Sequence, residues 1–230
     1  MSELRRIAES LWVGESELSI AGMPLAIRMT VIRLPSGDLV LHSPIAIDDD
    51  LAARLEQLGP IRHVLAPNRL HHLHVRAAAE RWPRAKLWAA PGLPDKRPKL
   101  RFDEVLGDVA PLEFEGVIET CLFAGAPLAS EVVLYHRPSH TLIVTDLVFN
   151  VQRSTSSVSR LYWKAVGAWQ RVAQTPVQRL MVRDRRAARV SLARMHAWPF
   201  ERLIMAHGDI VERGAREAFA SAVAKLAPGL

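Results

Sequence analysis

A crowding of histidines at the end of an apolar segment constrains the fold of this chain more than any other feature. Residues 61–68 (Ile-Arg-His-Val-Leu-Ala-Pro-Asn) have the pattern of a buried strand that ends in a proline, and His71, His72 and His74 follow directly after this run. Helix neighbours are three or four residues apart and strand neighbours two, so adjacent histidines converge only where the chain is irregular. A strand-to-helix turn supplies that irregularity, and imidazole is a common metal ligand and proton carrier. Solvated loop histidines are the alternative, but three at one strand end favour a site.

Two further apolar segments end on residues of the same chemical type. Residues 142–146 (Leu-Ile-Val-Thr-Asp) end on Asp146, and residues 203–207 (Leu-Ile-Met-Ala-His) end on His207. Taken alone, Asp146 is equally a helix N-cap or a turn residue, and His207 is more typical of a turn. Three strand ends that carry His or Asp favour a common site, because strand ends at one edge of the sheets open into one cleft.

The periodicity along the chain alternates between strand and helix. Two β-rich runs around residues 35–38 predict a hairpin, and an amphipathic run between Asp48 and the helix stop at Gly59 predicts a helix. No repeat or low-complexity segment interrupts this order, so we expect one domain over residues 1–230. Later predicted elements are strands over 114–124, 130–135 and 141–145 and helices over 161–172, 179–196 and 215–226.

Composition limits the class of protein and the type of metal site. Of the 230 residues, 49% are hydrophobic and 23% charged, which is typical of a globular protein. Cys121 is the one cysteine, which excludes a cysteine-cluster metal site, and its apolar neighbours predict a core position. The net charge of +6 is spread along the chain, so we expect it to serve solubility and do not expect a nucleic-acid partner. Without a membrane-spanning or signal-peptide pattern, we expect a cytoplasmic protein with no membrane partner.

The order of these features resembles the metallo-β-lactamase superfamily. Hairpins precede a strand with a histidine cluster, and a meander, a strand ending Thr-Asp, helices and a late strand ending His-Gly follow. Residues 67–72 (Pro-Asn-Arg-Leu-His-His) are similar to a divergent branch of that superfamily in which the cluster is Pro-Asn-x-x-His-His. The resemblance covers essentially the whole chain and implies an α/β (α+β) fold, a four-layer αββα sandwich.

Departures from the superfamily pattern imply one metal rather than two. In that superfamily the cluster is His-x-His-x-Asp-His, a further histidine follows a glycine, and an aspartate and a last histidine complete the second site. Matching His72 to the last cluster histidine places Pro67 and Arg69 at the first two, and Ala126 falls at the middle histidine. The cofactor implied by the remaining ligands is one divalent metal, Zn first, with Fe or Mn as alternatives. The implied ligand set is His71, His72, Asp146 and His207.

The resemblance implies a metal-dependent hydrolase of a small ester, lactone, thioester or phosphoester. Asp146 and His74 are the candidate catalytic residues, with His74 or Asn68 positioned to orient groups or carry a proton. Four protein ligands would close a tetrahedral zinc site, so catalysis would require a fifth position or a loosely held ligand. The alternative is a non-catalytic, metal-stabilised member of the superfamily that binds an anionic ligand or nucleic acid. The basic segments 94–99 and 183–189 could hold an anionic small-molecule substrate, although the second is more typical of a solvated helix face.

Overall fold

Two β-sheets packed face to face form the centre of the protein. The computed structural model describes residues 3–20, 23–154 and 156–230. In this part of the chain the first sheet contains, in spatial order, β1 (Leu4–Ala8), β2 (Leu11–Ile20), β3 (Met23–Arg33), β4 (Leu39–His42), β5 (Ile61–Ala66), β6 (Lys86–Ala89) and β7 (Glu104–Val105). The second sheet contains β8 (Ile118–Leu122), β9 (Val132–His136), β10 (Thr141–Ile143) and, beside β10 at its edge, β13 (Arg202–Ile204). Strands β11 (Phe149–Asn150) and β12 (Val172–Ala173) form a separate pair.

Helices cover the outer faces of both sheets, because the side chains of each strand alternate between two apolar layers. In β3, Ile32 packs between the sheets. Val31 faces the opposite side, where it packs with the helices Asp49–Leu58 and Val75–Arg81. In β9, Leu134 packs between the sheets. Val133 faces the opposite side, where it packs with the helices Arg185–Ala197 and Ala215–Val223. Both outer faces are therefore apolar and require a helical cover, which confirms the predicted αββα sandwich. The helices are α1 (Asp49–Leu58), α2 (Val75–Arg81), α3 (Leu93–Lys96), α4 (Ser157–Ala165), α5 (Pro176–Met181), α6 (Arg185–Ala197) and α7 (Ala215–Val223).

Three predicted elements have different bounds in the structure. The helix predicted over 179–196 is divided into α5 and α6, because the Asp184 side chain accepts backbone hydrogen bonds at 2.9 and 3.0 Å and begins a new helix. The helix predicted over 161–172 lies earlier, as α4. The strand predicted over 114–124 begins only at β8, since Phe114 belongs to a short 3-10 turn in which its ring is fully buried. Local capping and turn formation therefore override the apolar periodicity at these points.

The carboxyl ends of β5, β10 and β13 lie together at one end of the sandwich. Strands β10 and β13 are parallel neighbours, so the segments after them leave the second sheet at the same edge. Strand β5 belongs to the first sheet, but Asn68, just beyond it, donates a hydrogen bond of 2.7 Å to Asp146, just beyond β10. The three strand ends marked by His or Asp in the sequence therefore meet, as predicted.

Cys121 and the helices bear on two expectations from composition. Cys121 is buried in the apolar layer beneath α6, and burial raises the pKa of its thiol to about 11, which confirms a core position. Among the described residues, the structure contains no helix with the length and apolar character needed to cross a membrane. A single domain over residues 1–230 stays a prediction, which limited proteolysis would test.

Candidate metal centre

His71, Asp146 and His207 form the candidate metal centre. The Nε2 atoms of His71 and His207 lie 3.1 Å apart, and each lies 3.3 Å from a different carboxylate oxygen of Asp146. One donor atom from each residue falls within 4.8 Å of the other two. Donors of three side chains therefore converge on one point, and their chemistry fits a divalent cation such as Zn²⁺.

The hydrogen bonds behind the two histidines prepare them as ligands. Nδ1 of His207 lies 2.9 Å from the carbonyl oxygen of Ala26, which can only accept, so Nδ1 carries the proton and Nε2 presents its lone pair to the centre. Nδ1 of His71 lies 2.7 Å from the Ser43 hydroxyl. The ring of Phe149 stacks on His207 with the centroids 5.0 Å apart. Both imidazoles are therefore fixed in orientation from behind, which is typical of metal-ligating histidines.

Asn68 ties the histidine turn to the aspartate. Its amide nitrogen donates to Asp146 Oδ2 at 2.7 Å and to the hydroxyl of Thr145 at 2.8 Å. Its amide oxygen accepts from the backbone N–H of His71 at 2.6 Å and from that of Leu70 at 2.7 Å. Asn68 is fully buried, so one side chain holds two ligand-bearing segments from different sheets in register. The role of Asn68 as a residue that orients the site stays a prediction.

Glu131 is a buried carboxylate that the sequence analysis missed. It is 1% exposed, and its two oxygens accept the backbone N–H groups of Thr145 and Asp146 at 2.7 and 2.8 Å. Burial, with the charge of Asp146 added, raises the pKa of Glu131 to about 7. Burial would also raise the pKa of Asp146, but His71 and His207 hold it well below its usual range. A charged residue directly before the apolar strand β9 was the signal available in the sequence.

We expect Glu131→Ala to lower the free energy of unfolding by about 2–4 kcal/mol, because two buried N–H groups lose their acceptors. Glu131→Gln keeps one acceptor oxygen, so its free energy of unfolding should fall by less than that of Glu131→Ala. Urea denaturation measures the change, and Glu115→Ala, which removes an exposed glutamate, is the control. Equal losses in Glu131→Ala and Glu115→Ala would show that the Glu131 contacts do not stabilise the segment that carries Asp146.

His72 and His74 share the turn with His71 but do not join the group. His72 lies between the cleft at the centre and a neighbouring cavity, and burial together with Arg97 and Lys96 lowers its pKa. His74 occupies the N-cap position of α2 and lines the cleft. Side chains of adjacent residues leave the backbone in different directions. The Asn68 contact holds His71 toward the metal centre, so His72 does not join the group. The structure thus brings together three of the four predicted metal ligands and only one of the two predicted catalytic residues, Asp146.

The positions matched to the superfamily's other metal site offer no ligand side chains here. Arg69 directs its guanidinium to the carbonyl oxygen of Pro127 at 2.8 Å, and Ala126 is buried in the core. The Pro67 carbonyl accepts a backbone hydrogen bond from Val132 at 2.8 Å. These residues contribute packing and backbone contacts, so a metal count of one stays a prediction that rests on the single group described above.

The centre lies at the inner end of a cleft of about 480 Å³. Asp146 and His207 line the cleft but are only 8% and 5% exposed, whereas Leu73 and Val177 stand at its mouth, 57% and 48% exposed. No Lys or Arg lines this cleft in the part of the chain that the structure describes. The cleft therefore suits an apolar group rather than an anion. Its other apolar lining residues include Leu25, Ile27, Phe149, Tyr162 and Trp163.

Solved structures resemble this chain over nearly its whole length. A metallo-β-lactamase from Pontibacter korlensis matches with a TM-score of 0.69 and 13% identity, covering 98% of this chain and 99% of that one. The chain has the metallo-β-lactamase fold. The mono-zinc form of the metallo-β-lactamase FIM-1 from Pseudomonas aeruginosa matches with a TM-score of 0.65 and 14% identity, covering 97% and 95% of the two chains. A metal-soaked flavodiiron core from Synechocystis sp. PCC6803 matches with a TM-score of 0.67 and 13% identity, covering 98% of this chain and 60% of that one.

Sequence comparison is less informative than the fold. A family model described as a domain of unknown function (DUF4336) matches residues 8–94, which include the histidine turn. A search of curated proteins finds no match. The superfamily resemblance noted from the sequence is therefore confirmed at the level of the fold, and the reaction has to be argued from the site.

Proposed function

We propose that the protein is a metal-dependent hydrolase whose single divalent cation is held by His71, Asp146 and His207. The convergence of these three donors at the inner end of an open cleft is the observation that carries the proposal. Catalytic zinc sites typically have three protein ligands and an open position, whereas structural sites have four. The location of His72 outside the group therefore supports a catalytic role and removes the difficulty posed by a four-ligand set.

Zn²⁺ is the first candidate metal. Two imidazoles and one carboxylate suit zinc, and the same donors also suit non-haem Fe(II) and Mn²⁺. A flavodiiron core and a mono-zinc enzyme both resemble this chain, so iron is the first alternative.

The chain's own residues orient the reacting groups. A bound divalent cation supplies a Lewis acid that lowers the pKa of water and polarises a carbonyl or phosphoryl oxygen. The Ala26 carbonyl fixes the tautomer of His207, and Asn68 holds the Asp146 carboxylate. His74 lines the cleft, and burial lowers its pKa, which keeps the imidazole neutral and able to accept a proton at neutral pH.

The cleft favours a small substrate with an apolar group beside the scissile bond. Its volume of about 480 Å³ is within the range of small-molecule sites. Phe149 and Trp163 supply aromatic surface that excludes water from this side. The substrate class is an ester, lactone, thioester or phosphoester.

A non-catalytic role for the metal is the alternative. The ligands follow β5, β10 and β13, so a cation could serve only to join the three strand ends. A protein of that kind would be stabilised by its metal through mass action, because the unfolded chain lacks the assembled site. Nucleic-acid binding has no support from the cleft, which presents no cationic side chain among the described residues.

A hydrolase screen tests the proposal. We expect protein loaded with Zn, Mn or Fe to hydrolyse aryl esters, thioesters or phosphodiesters, and Asp146→Ala or chelation to lower the rate by about 100-fold or more. His140→Ala, which changes a histidine outside the cleft, should retain the activity. No activity above the Asp146→Ala background, together with a chelator effect confined to the melting temperature, would establish the non-catalytic alternative.

A further inference from the structure

A second cavity of about 270 Å³, here called the basic cavity, adjoins the cleft. Four of its lining side chains are cationic, and no carboxylate lines it in the described part of the chain. Most of these cations belong to the basic loop 94–99 that the sequence indicated as a possible anion-binding segment. The polar lining consists of His72, Arg76, Lys96, Arg97 and Lys99.

Two of the four cations of the basic cavity donate to backbone carbonyls rather than to acidic side chains. Arg76 donates to the carbonyl of Lys99 at 3.2 Å, and Lys96 donates to the carbonyl of Arg69 at 2.7 Å. Within the described residues, no Asp or Glu forms an ion pair with Arg76, Lys96, Arg97 or Lys99. Several positive charges on a concave surface without a carboxylate focus a potential that attracts an anion.

His72 connects the basic cavity to the metal cleft. It lines both spaces, and it directly follows the metal ligand candidate His71. Its Nδ1 atom is buried and has no hydrogen-bond partner among the described residues. Since His72 lines both spaces, a ligand that extends from one to the other contacts this residue.

The two spaces have opposite character. The cleft has an apolar mouth at Leu73 and Val177 and aromatic walls at Phe149 and Trp163. The basic cavity lies on the other side of His72 and is cationic. A ligand that occupies both must combine an apolar body with a negatively charged group.

We infer that the site takes amphipathic anions, with the apolar body in the cleft and a carboxylate or phosphate group in the basic cavity. This inference rests on the proposed function and names the substrate class of the same site. It accounts for the basic loop 94–99 and for the position of His72, neither of which the metal centre uses. The four cations are exposed residues that line a concavity, and the apolar cleft of small-molecule size beside it favours a free small amphiphile over a membrane surface.

Ligand binding tests the inference without a measurement of hydrolysis. The probes are decyl phosphate, decanol and inorganic phosphate, each below any micelle concentration, and isothermal titration calorimetry gives the affinities. We expect decyl phosphate to bind the full-length protein about 10-fold more tightly than decanol, since its phosphate adds charge-assisted hydrogen bonds. This gain in affinity of decyl phosphate over decanol should decrease as salt is added, because salt screens the attraction between the phosphate and the cations.

A pair of double variants locates the anionic group. Arg97→Gln combined with Lys99→Gln should reduce the gain of decyl phosphate over decanol to less than about 2-fold and leave decanol binding and metal content unchanged. Arg183→Gln combined with Arg186→Gln removes the same net charge from the other basic segment and should retain the gain.

Four results would overturn the inference. The first is equal binding of decyl phosphate and decanol, and the second is a gain that persists in the Arg97/Lys99 variant, which would place the phosphate at the metal. A third is inorganic phosphate that binds as tightly as decyl phosphate, which would make the basic cavity a plain anion site. The last is binding to phosphatidylglycerol vesicles that depends on Arg97 and Lys99 with no gain for free decyl phosphate, which would identify a membrane surface. A hydrolase screen that fails while the gain is present would refute the reaction and leave the binding site intact.

Discussion

We expect His207→Ala to reduce the metal content of the purified protein from about one equivalent per chain to near zero, because two remaining ligands do not hold a divalent cation against competition from buffer. His71→Ala and Asp146→Ala should have the same effect. Loss of an orienting contact alone typically costs 10–100-fold in metal affinity, so loss of a ligand should cost at least about 100-fold. Mass spectrometry of the metals in protein purified without a histidine tag measures the change.

His72→Ala is the matched control for the metal centre. His72 is the adjacent residue of the same type in the same turn, but it lies outside the group formed by His71, Asp146 and His207. Its removal should leave the metal content unchanged. If His72→Ala lost the metal as His71→Ala does, the four-ligand set drawn from the sequence would be right, and a closed structural site would follow.

The strand ends made much of the site predictable from the sequence. His71, Asp146 and His207 each follow an apolar strand, and the ends of such strands meet at one edge of the sandwich. The direction of His72 was not predictable in the same way. The direction of the His72 side chain depends on the backbone geometry of an irregular turn. Asn68 fixes that turn through contacts with His71 and with Asp146, which is 78 residues away in the chain.

Contacts made by backbone atoms leave no sign in the sequence. The carbonyl of Ala26 sets the tautomer of His207, but any residue in β3 would offer a carbonyl. Glu131 was missed for a related reason, since its partners are the N–H groups of Thr145 and Asp146 rather than side chains. Pairs of complementary side chains can be sought in a sequence, whereas these contacts appear only when the strands are assembled.

The alternation of apolar residues predicted the layers of the fold better than the ends of its elements. The period of two in β3 and β9 places successive residues in different layers, which the packing of Val31 and Ile32 confirms. Apolar residues at helical spacing continue through 179–196, but Asp184 divides that segment, because its side chain satisfies N–H groups that a continuous helix would not leave free. Local hydrogen bonding therefore decides the boundaries, and burial decides the layers.

A buried arginine supports the segment that carries His207. Arg28 is 5% exposed, forms an ion pair with Glu15 at 2.7 Å, and donates to the carbonyl of Gly208 at 2.6 Å and to that of Met205. Both carbonyls flank His207 in the chain. The imidazole is therefore held by the backbone on either side of it, and a change in that backbone should reach the metal centre.

Gly208→Ala should strongly destabilise the protein, because the added methyl group meets backbone atoms at a residue with positive φ. Gly208 has a φ of +96°, and a Cβ atom there would lie 2.1 Å from the carbonyl oxygen of Asn150 and 2.4 Å from its carbonyl carbon. The Asn150 carbonyl cannot move away freely, since it accepts the backbone N–H of Asp209 at 2.7 Å. We expect the free energy of unfolding to fall by about 3–5 kcal/mol, of which strain at positive φ accounts for about 1–2 kcal/mol and the clash for the rest.

Gly37→Ala separates these two contributions. Gly37 has a φ of +90° but nothing within 4 Å of the added Cβ, so this variant should show only the strain at positive φ, about 1–2 kcal/mol in urea denaturation.

Metal affinity should also distinguish the two variants. Gly208→Ala displaces the backbone next to His207 and should weaken zinc binding, whereas Gly37→Ala lies in the turn between β3 and β4 and should not. Equal losses of stability in the two variants, with zinc affinity preserved in both, would mean that the backbone around Asn150 yields to the methyl group and that the position of His207 does not depend on the close approach at Gly208.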